Sequence, residues 1–251
     1  MSSSPTLLLP PRYSDDSVAL WRAAVTRQWA VERVHNWKAP AHLLQEEVAV
    51  YGESFFVAAV ADQLALNLLS PPLDWLTRIP GGYLQRAVGF TTLDEARRCT
   101  DRLFWKPADD KLFPARVYAS GAELPAPGEL PGETPVLCSA PVEWTLEYRC
   151  FVLEREIVTL SPYWRDGRLA QPDDGTWPAS PEEVDQAARF AARVASDADV
   201  PARGGWVLDV GRIAGMGWAV VEANPAWGSG LYGCDPSRVL DVLRAACIRI
   251  G

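Results

Sequence analysis

Histidine is scarce in this chain of 251 residues: His35 and His42 are the only two. A zinc site or a histidine-based catalytic triad therefore has almost no material to draw on. The five cysteines (Cys99, Cys138, Cys150, Cys234 and Cys247) are odd in number, widely spaced and without a Cys-x-x-Cys pair. They read as reduced, buried thiols, as expected of a cytoplasmic protein, and not as a disulfide framework. No apolar run approaches the ~20 residues of a membrane helix. Met1-Ser-Ser-Ser-Pro lacks the basic start of a secretory signal, and the apolar run at residues 7–9 is too short for one. Lys and Arg are scattered, and the net charge is −8, so no nucleic-acid partner is expected.

What is present is 48% apolar and 22% charged residues, enough to build one large domain or two modest ones around a sizeable core. The first part alternates strand and helix signals. Strands are expected at residues 6–9, 31–34, 48–51 and 66–69. Helices are expected at 15–30, behind a Ser14 or Asp15 cap, and at 55–66. That alternation suggests a small α/β unit with a partly parallel sheet. Pro80-Gly81-Gly82 punctuates the chain, and we place the division there, giving units 1–82 and 83–251. Beyond it, strands are expected at 87–90, 103–106, 116–119, 136–138, 144–153 and 157–163. Residues 121–135, rich in Pro, Gly and Glu, read as a mobile surface loop. Residues 181–196 form an amphipathic helix with an acidic first turn, and 235–248 a closing helix.

The most informative segments are Trp206-Val207-Leu208-Asp209-Val210-Gly211 and Trp218-Ala219-Val220-Val221-Glu222-Ala223-Asn224-Pro225. Each is an apolar strand interrupted by polar residues that packing alone would exclude. Gly211, Gly215 and Gly217 mark a tight return, so the two pair as a hairpin. Glu222 and Asn224, two apart, share one sheet face. With Asp209 facing the same way, three oxygen ligands converge, a donor set suited to Mg²⁺. The alternative is solvated strand-end carboxylates and an Asn-Pro turn.

Other charges sit among apolar residues. Lys106 closes Leu103-Phe104-Trp105 and precedes Pro107; taken alone it is an edge lysine with its stem along apolar surface. Lys111 follows a short polar loop. Arg86 opens a strand. In Glu147-Tyr148-Arg149 the two charged residues share a face, and Arg149 is either half of a buried ion pair or a permanently charged donor to a phosphate or carboxylate.

Taken in order, Phe104-Trp105-Lys106-Pro107, Lys111-Leu112-Phe113-Pro114-Ala115, Glu147-Tyr148-Arg149-Cys150-Phe151-Val152, Leu208-Asp209-Val210 and Val221-Glu222-Ala223-Asn224-Pro225-Ala226-Trp227 resemble the ATP-grasp superfamily. The resemblance is to its small bacterial and phage-type clade named for an arginine and two lysines. It covers roughly residues 86–251, with the first unit similar to a pre-ATP-grasp domain. It implies an α+β fold in which two lobes hold ATP between them. Arg86 and Lys106 would contact the nucleotide, Lys106 near the adenine and α-phosphate. Lys111 would cover the phosphates, and backbone groups of Val136, Cys138 and Ala140 would form the adenine hinge. Glu143 or Glu147 would reach the ribose, and Asp209, Glu222 and Asn224 would hold Mg²⁺. Arg149, with Lys111, would stabilise the transferred phosphoryl group. The implied activity is carboxylate–amine ligation through an acyl phosphate, acting on a small-molecule, peptide or protein carboxylate and amine. A nucleotide-binding module without turnover, or phosphoryl transfer to another acceptor, is the alternative. The chain departs from the pattern at Ala108-Asp109-Asp110-Lys111, where many relatives have a glycine- or serine-rich loop.

Overall fold

The computed structural model describes residues 4–109 and 111–250. Met1-Ser-Ser and the acid at Asp110 thus lie outside the described residues. The chain opens with β1 (Thr6–Leu9), whose four side chains are all buried, as suits a central strand covered on both faces. α1 (Asp15–Thr26) starts at Ser14, which exchanges a capping box with Ser17. It stops four residues short of the expected 30, because Gln28 adopts φ 60° and turns the chain into β2 (Ala30–Arg33). β3 (Val48–Val50) completes a parallel sheet of order β2-β1-β3. α2 (Ser54–Gln63), β4 (Leu66–Leu68) and the single-turn α3 (Trp75–Arg78) follow.

A four-stranded antiparallel lobe comes next. It contains β5 (Val88–Thr92), the short α4 (Leu93–Ala96), β6 (Leu103–Pro107), β7 (Arg116–Tyr118) and β8 (Pro135–Ser139), in the order β5-β8-β6-β7. Leu93, Trp105, Phe113, Tyr118, Leu124 and Val136 form its core. The expected loop at 121–135 is anchored: Leu124 is buried, and the Arg97 guanidinium donates to the carbonyls of Pro125, Ala126 and Leu130. A composition of Pro, Gly and Glu does not reveal a guanidinium fixed from another segment.

The larger lobe is an antiparallel sheet of β9 (Trp144–Leu153), β10 (Glu156–Arg165), β11 (Arg168–Leu169), β12 (Gly205–Ile213) and β13 (Gly217–Pro225), in the order β11-β10-β9-β12-β13. α5 (Pro181–Ser196), capped by the Ser180–Glu183 box, lays Ala187, Phe190, Ala191 and Val194 over one face, against Tyr148, Cys150, Val152, Leu208 and Val210. α6 (Pro236–Ala246) covers the other. In place of a helix running to 248, the chain ends in β14 (Cys247–Arg249), which pairs antiparallel with β4. The expected helical turn gives way because the open edge of β4 offers backbone partners that local periodicity cannot report. α6 joins Leu7, Leu9 and Leu20 of the first unit to Phe151 and Val207 of the large sheet in one cluster, and Arg27 pairs with Asp241 across α1 and α6 at 2.8 and 2.9 Å.

Gly211 is not part of the β12–β13 return: it sits inside β12 opposite Ala219, where a Cβ would come 2.7 Å from the Trp144 ring. The return itself uses Gly215 and Gly217, both at positive φ. Among the described residues no helix is long and apolar enough to cross a membrane.

Candidate active site

One transverse row crosses the large sheet. Pairing sets Ser161 opposite Arg149, Arg149 opposite Asp209, and Asp209 opposite Glu222. Opposed residues of antiparallel strands project to the same face, and Asn224, two beyond Glu222, joins them. Arg149 donates through Nε to Asp209 Oδ1 at 3.0 Å and through Nη2 to Oδ2 at 2.6 Å. Asn224 Nδ2 donates to Asp209 Oδ2 at 3.2 Å and to Glu222 Oε1 at 2.9 Å. From the small lobe, Lys106 Nζ meets Glu222 Oε2 in an ion pair. The row thus holds two carboxylates, each bound to one cation, with an amide between them.

Burial sets the electrostatics. Desolvation opposes the charge on Arg149, but Asp209 more than offsets it, so the guanidinium holds its proton more firmly than in water. Burial would raise Glu222, yet the Lys106 ammonium and the Asn224 amide outweigh it and hold the carboxyl down at about 2. Glu147 lies on the same face, accepts a hydrogen bond from Tyr163 Oη, and is pushed up to about 7, chiefly by burial.

A β-bulge follows the row. Pairing steps from Asp209–Glu222 to Val210–Val220 and leaves Val221 as the extra residue. Arg86 caps this irregularity, donating to the carbonyls of Val220 at 2.7 Å and Val221 at 3.2 Å, with its guanidinium 4.9 Å from the Trp144 ring centroid. Burial lowers its pKa to about 10, so it remains a cation at neutral pH. Between the lobes lies a cavity of about 160 Å³. Val88, Phe104, Leu137, Val142 and Val221 give it apolar walls, while Lys106, Glu222 and Arg86 supply charge. Flat apolar walls beside clustered charge suit a ligand with an aromatic base at one end and anionic groups at the other.

Of the residues singled out in the sequence, Arg86, Lys106, Cys138, Ala140 and Glu222 line this cavity. Asp209, Arg149 and Asn224 stand beside it, tied to Glu222 through the row. The structure does not bring the others there. Val136 is wholly buried in the small-lobe core. Glu143 is exposed, its carbonyl accepting from Ala214 N–H. Glu147 is buried against Tyr163. Lys111 is exposed and makes no salt bridge to any described residue. Sequence reasoning missed Phe104 and Trp144 as walls, and Tyr163 and Tyr232, whose rings lie 5.3 and 4.8 Å from the Arg149 guanidinium. The tyrosines carry no local signal, since they reach Arg149 from β10 and from the segment after β13.

A small antiparallel lobe set against a larger sheet, with Lys106 and Glu222 lining the cavity between them, has the form of a nucleotide-binding fold of two α+β lobes. The chain belongs to an ATP-grasp domain family, the second family of the clade named for one arginine and two lysines, whose model matches residues 83–242. No curated protein sequence matches it. Among solved structures it is similar to D-cycloserine synthetase DcsG, at 15% identity and TM-score 0.59, over 96% of this chain and 99% of that one. The D-alanine–D-alanine ligase from Bacillus anthracis complexed with ATP aligns at 12% identity and TM-score 0.53, over 98% and 97%. The ATP-grasp ligase PsnB complexed with minimal precursor aligns at 14% identity and TM-score 0.50, over 98% and 100%. These likenesses establish the fold.

Proposed function

We propose that the chain is an ATP- and Mg²⁺-dependent ligase that joins a carboxylate to an amine through an acyl phosphate. The observation that carries this reading is the row Arg149–Asp209–Glu222, with Asn224, meeting Lys106 at the cavity. Membership of the ATP-grasp family supports it, as do the names of the similar structures, which include two ligases and a synthetase.

The donor set fits a hard divalent cation. Two carboxylates offer oxygen, Asn224 bridges them through its amide nitrogen and would offer Oδ1 on turning over, and Glu222 already draws in a cation, Lys106. Among the described residues no group of three His, Cys, Asp or Glu forms a complete cage. Mg²⁺ would therefore rest on one or two carboxylates, with waters and substrate phosphates completing its shell. When bound, the metal would neutralise charge on the β- and γ-phosphates. Asp209, Glu222 and Asn224 would hold it.

The chain's own residues have distinct tasks. Lys106, on a flexible stem, exchanges Glu222 for a phosphate oxygen as the nucleotide enters. Cys138, Ala140 and the apolar walls receive the base. Arg149, fixed and charged, faces the transferred phosphoryl group. A carboxylate oxygen of the substrate attacks the γ-phosphorus, a new O–P bond forms, the bond to the bridging oxygen breaks, and ADP leaves. The amine then attacks the acyl carbon, a C–N bond forms, phosphate departs and the amine loses a proton. No protein nucleophile is required. This agrees with the state of the buried thiols: burial pushes Cys234 up to about 12 and Cys150 well above its ordinary value.

Turnover with ATP, Mg²⁺ and a panel of carboxylates and amines, one carboxylate labelled with ¹⁸O, tests the reading. One label per turnover is expected in the released phosphate. ADP formation without label in phosphate, or a stably phosphorylated acceptor, would overturn it.

A further inference from the structure

We infer that Asp16, in the first turn of α1, is a positioning residue for Arg149 and acts through the peptide joining Gly230 to Leu231; its consequence for catalysis rests on the ligase reading above. The two ends of that peptide are engaged from opposite sides. Its N–H, on Leu231, donates to Asp16 Oδ2 at 3.1 Å. Its carbonyl, on Gly230, accepts from Arg149 Nη1 at 3.2 Å. A carboxylate at the N–H end polarises the peptide and makes the carbonyl a stronger acceptor, so the Asp16 charge is felt at the guanidinium without direct contact.

The surrounding geometry fixes this link. Tyr51 Oη donates to the same Asp16 oxygen at 3.1 Å, and burial together with Asp16 raises the phenol's pKa well above its ordinary value. Leu231 is buried in the cluster that contains Leu7, Leu9 and Leu20. A Cβ on Gly230 would stand 3.2 Å from the Tyr232 ring and 3.4 Å from Asp16 Oδ2, so the peptide lies in close contact with both. Arg149 is thereby held twice, by Asp209 through Nε and Nη2 and by the peptide through Nη1. A guanidinium has five N–H groups. With three engaged, one on Nη1 and one on Nη2 have no partner among the described residues. Those two define the direction in which an anion is received, and Asp16 sets that direction from the N-terminal unit.

The test is arginine side-chain ¹⁵N NMR on the full chain, with the Arg149 signals assigned by their loss in Arg149→Lys. Asp16→Asn keeps the shape and removes the charge. It should move the Arg149 Nη signals and speed their proton exchange about tenfold, the size expected for a weakened charged hydrogen bond. Asp15→Asn, one residue earlier in the same turn, should leave them in place. Unmoved Arg149 signals in folded Asp16→Asn overturn the inference. Should that variant fail to fold, Tyr51→Phe perturbs the same carboxylate oxygen, and unmoved signals there overturn it equally. Binding of Mg·ADP with and without fluoroaluminate supplies the second readout. Asp16→Asn should weaken the fluoroaluminate complex about tenfold while leaving Mg·ADP affinity within about twofold. Equal weakening of both marks a merely structural role and overturns the inference. If Arg149 signals move but the unaltered chain forms no fluoroaluminate complex, the ligase reading fails while the link from Asp16 stands.

Discussion

Two buried carboxylates on one face of the large sheet shift in opposite directions, and the partner decides the sign. Glu222 has a lysine and is held at about 2; Glu147 has a phenol and rises to about 7, chiefly through burial. For Glu222 the folded pKa lies below that of the unfolded chain. Its contribution is present above the unfolded value near 4.5 and is lost as pH falls towards 2. Lys106→Met removes that contribution: Glu222 should then titrate well above 2, visible in its side-chain ¹³C shift, and affinity for a non-hydrolysable Mg·ATP analogue should fall at least about tenfold. For Glu147 the folded pKa lies above the unfolded one, so the native state binds the proton more tightly and stability declines as pH rises from about 4.5 to about 7. Glu147→Gln mimics the protonated form and retains an acceptor for Tyr163. It should leave stability unchanged at about pH 4 and raise it by roughly 3 kcal/mol at about pH 8 by denaturant titration. A variant equally destabilised at both pH values would contradict the burial argument.

At the scale of elements, the hairpin β12–β13 was legible because its polar residues interrupt apolar runs, and period-two alternation alone puts Glu222 and Asn224 on one face. The boundaries of β9 and α5 were legible too: the first follows Pro141, and the second carries Ser180, Pro181 and Glu183 as its start signal. Cross-strand register was not. That Arg149 pairs with Asp209 depends on β9 lying beside β12, 60 residues away, and no local pattern encodes that neighbour. Nor does it encode the bulge at Val221, or the pairing of β14 with β4 that turns the expected end of a helix into a strand. The hairpin's register makes a quantitative demand. Asp209 is fully buried against Arg149, so Asp209→Ala strands a guanidinium and should cost about 3–5 kcal/mol in denaturant unfolding. Replacing both partners with apolar residues should recover most of that loss. If the single and double variants were equally destabilised, a stranded guanidinium would not be the source of the loss.

Over the whole molecule, the division at residues 82 and 83 separates sequence textures more cleanly than it separates cores. α6, late in the chain, packs Val239, Leu240 and Leu243 into the same cluster as Leu7, Leu9 and Leu20, and β14 completes a sheet with β4. Gly205 shows how close this packing is: a Cβ there would stand 1.9 Å from the Val242 carbonyl, so Gly205→Ala should cost about 1–3 kcal/mol by forcing α6 away from β12. The same closeness decides how the protein comes apart. A chain cut to residues 83–251 leaves one face of α6 and the partner edge of β14 uncovered, apolar surface that a two-lobed domain cannot rebury. The full chain should therefore unfold in a single transition by both tryptophan fluorescence and far-ultraviolet circular dichroism. The 83–251 fragment should aggregate or bind a hydrophobic dye, and co-expression with residues 1–82 should restore the native spectrum. A fragment that stayed monomeric and cooperative alone would show the shared core to be dispensable. Asp16 would then have no structural reason to sit in the first unit while the guanidinium it steadies sits in the second.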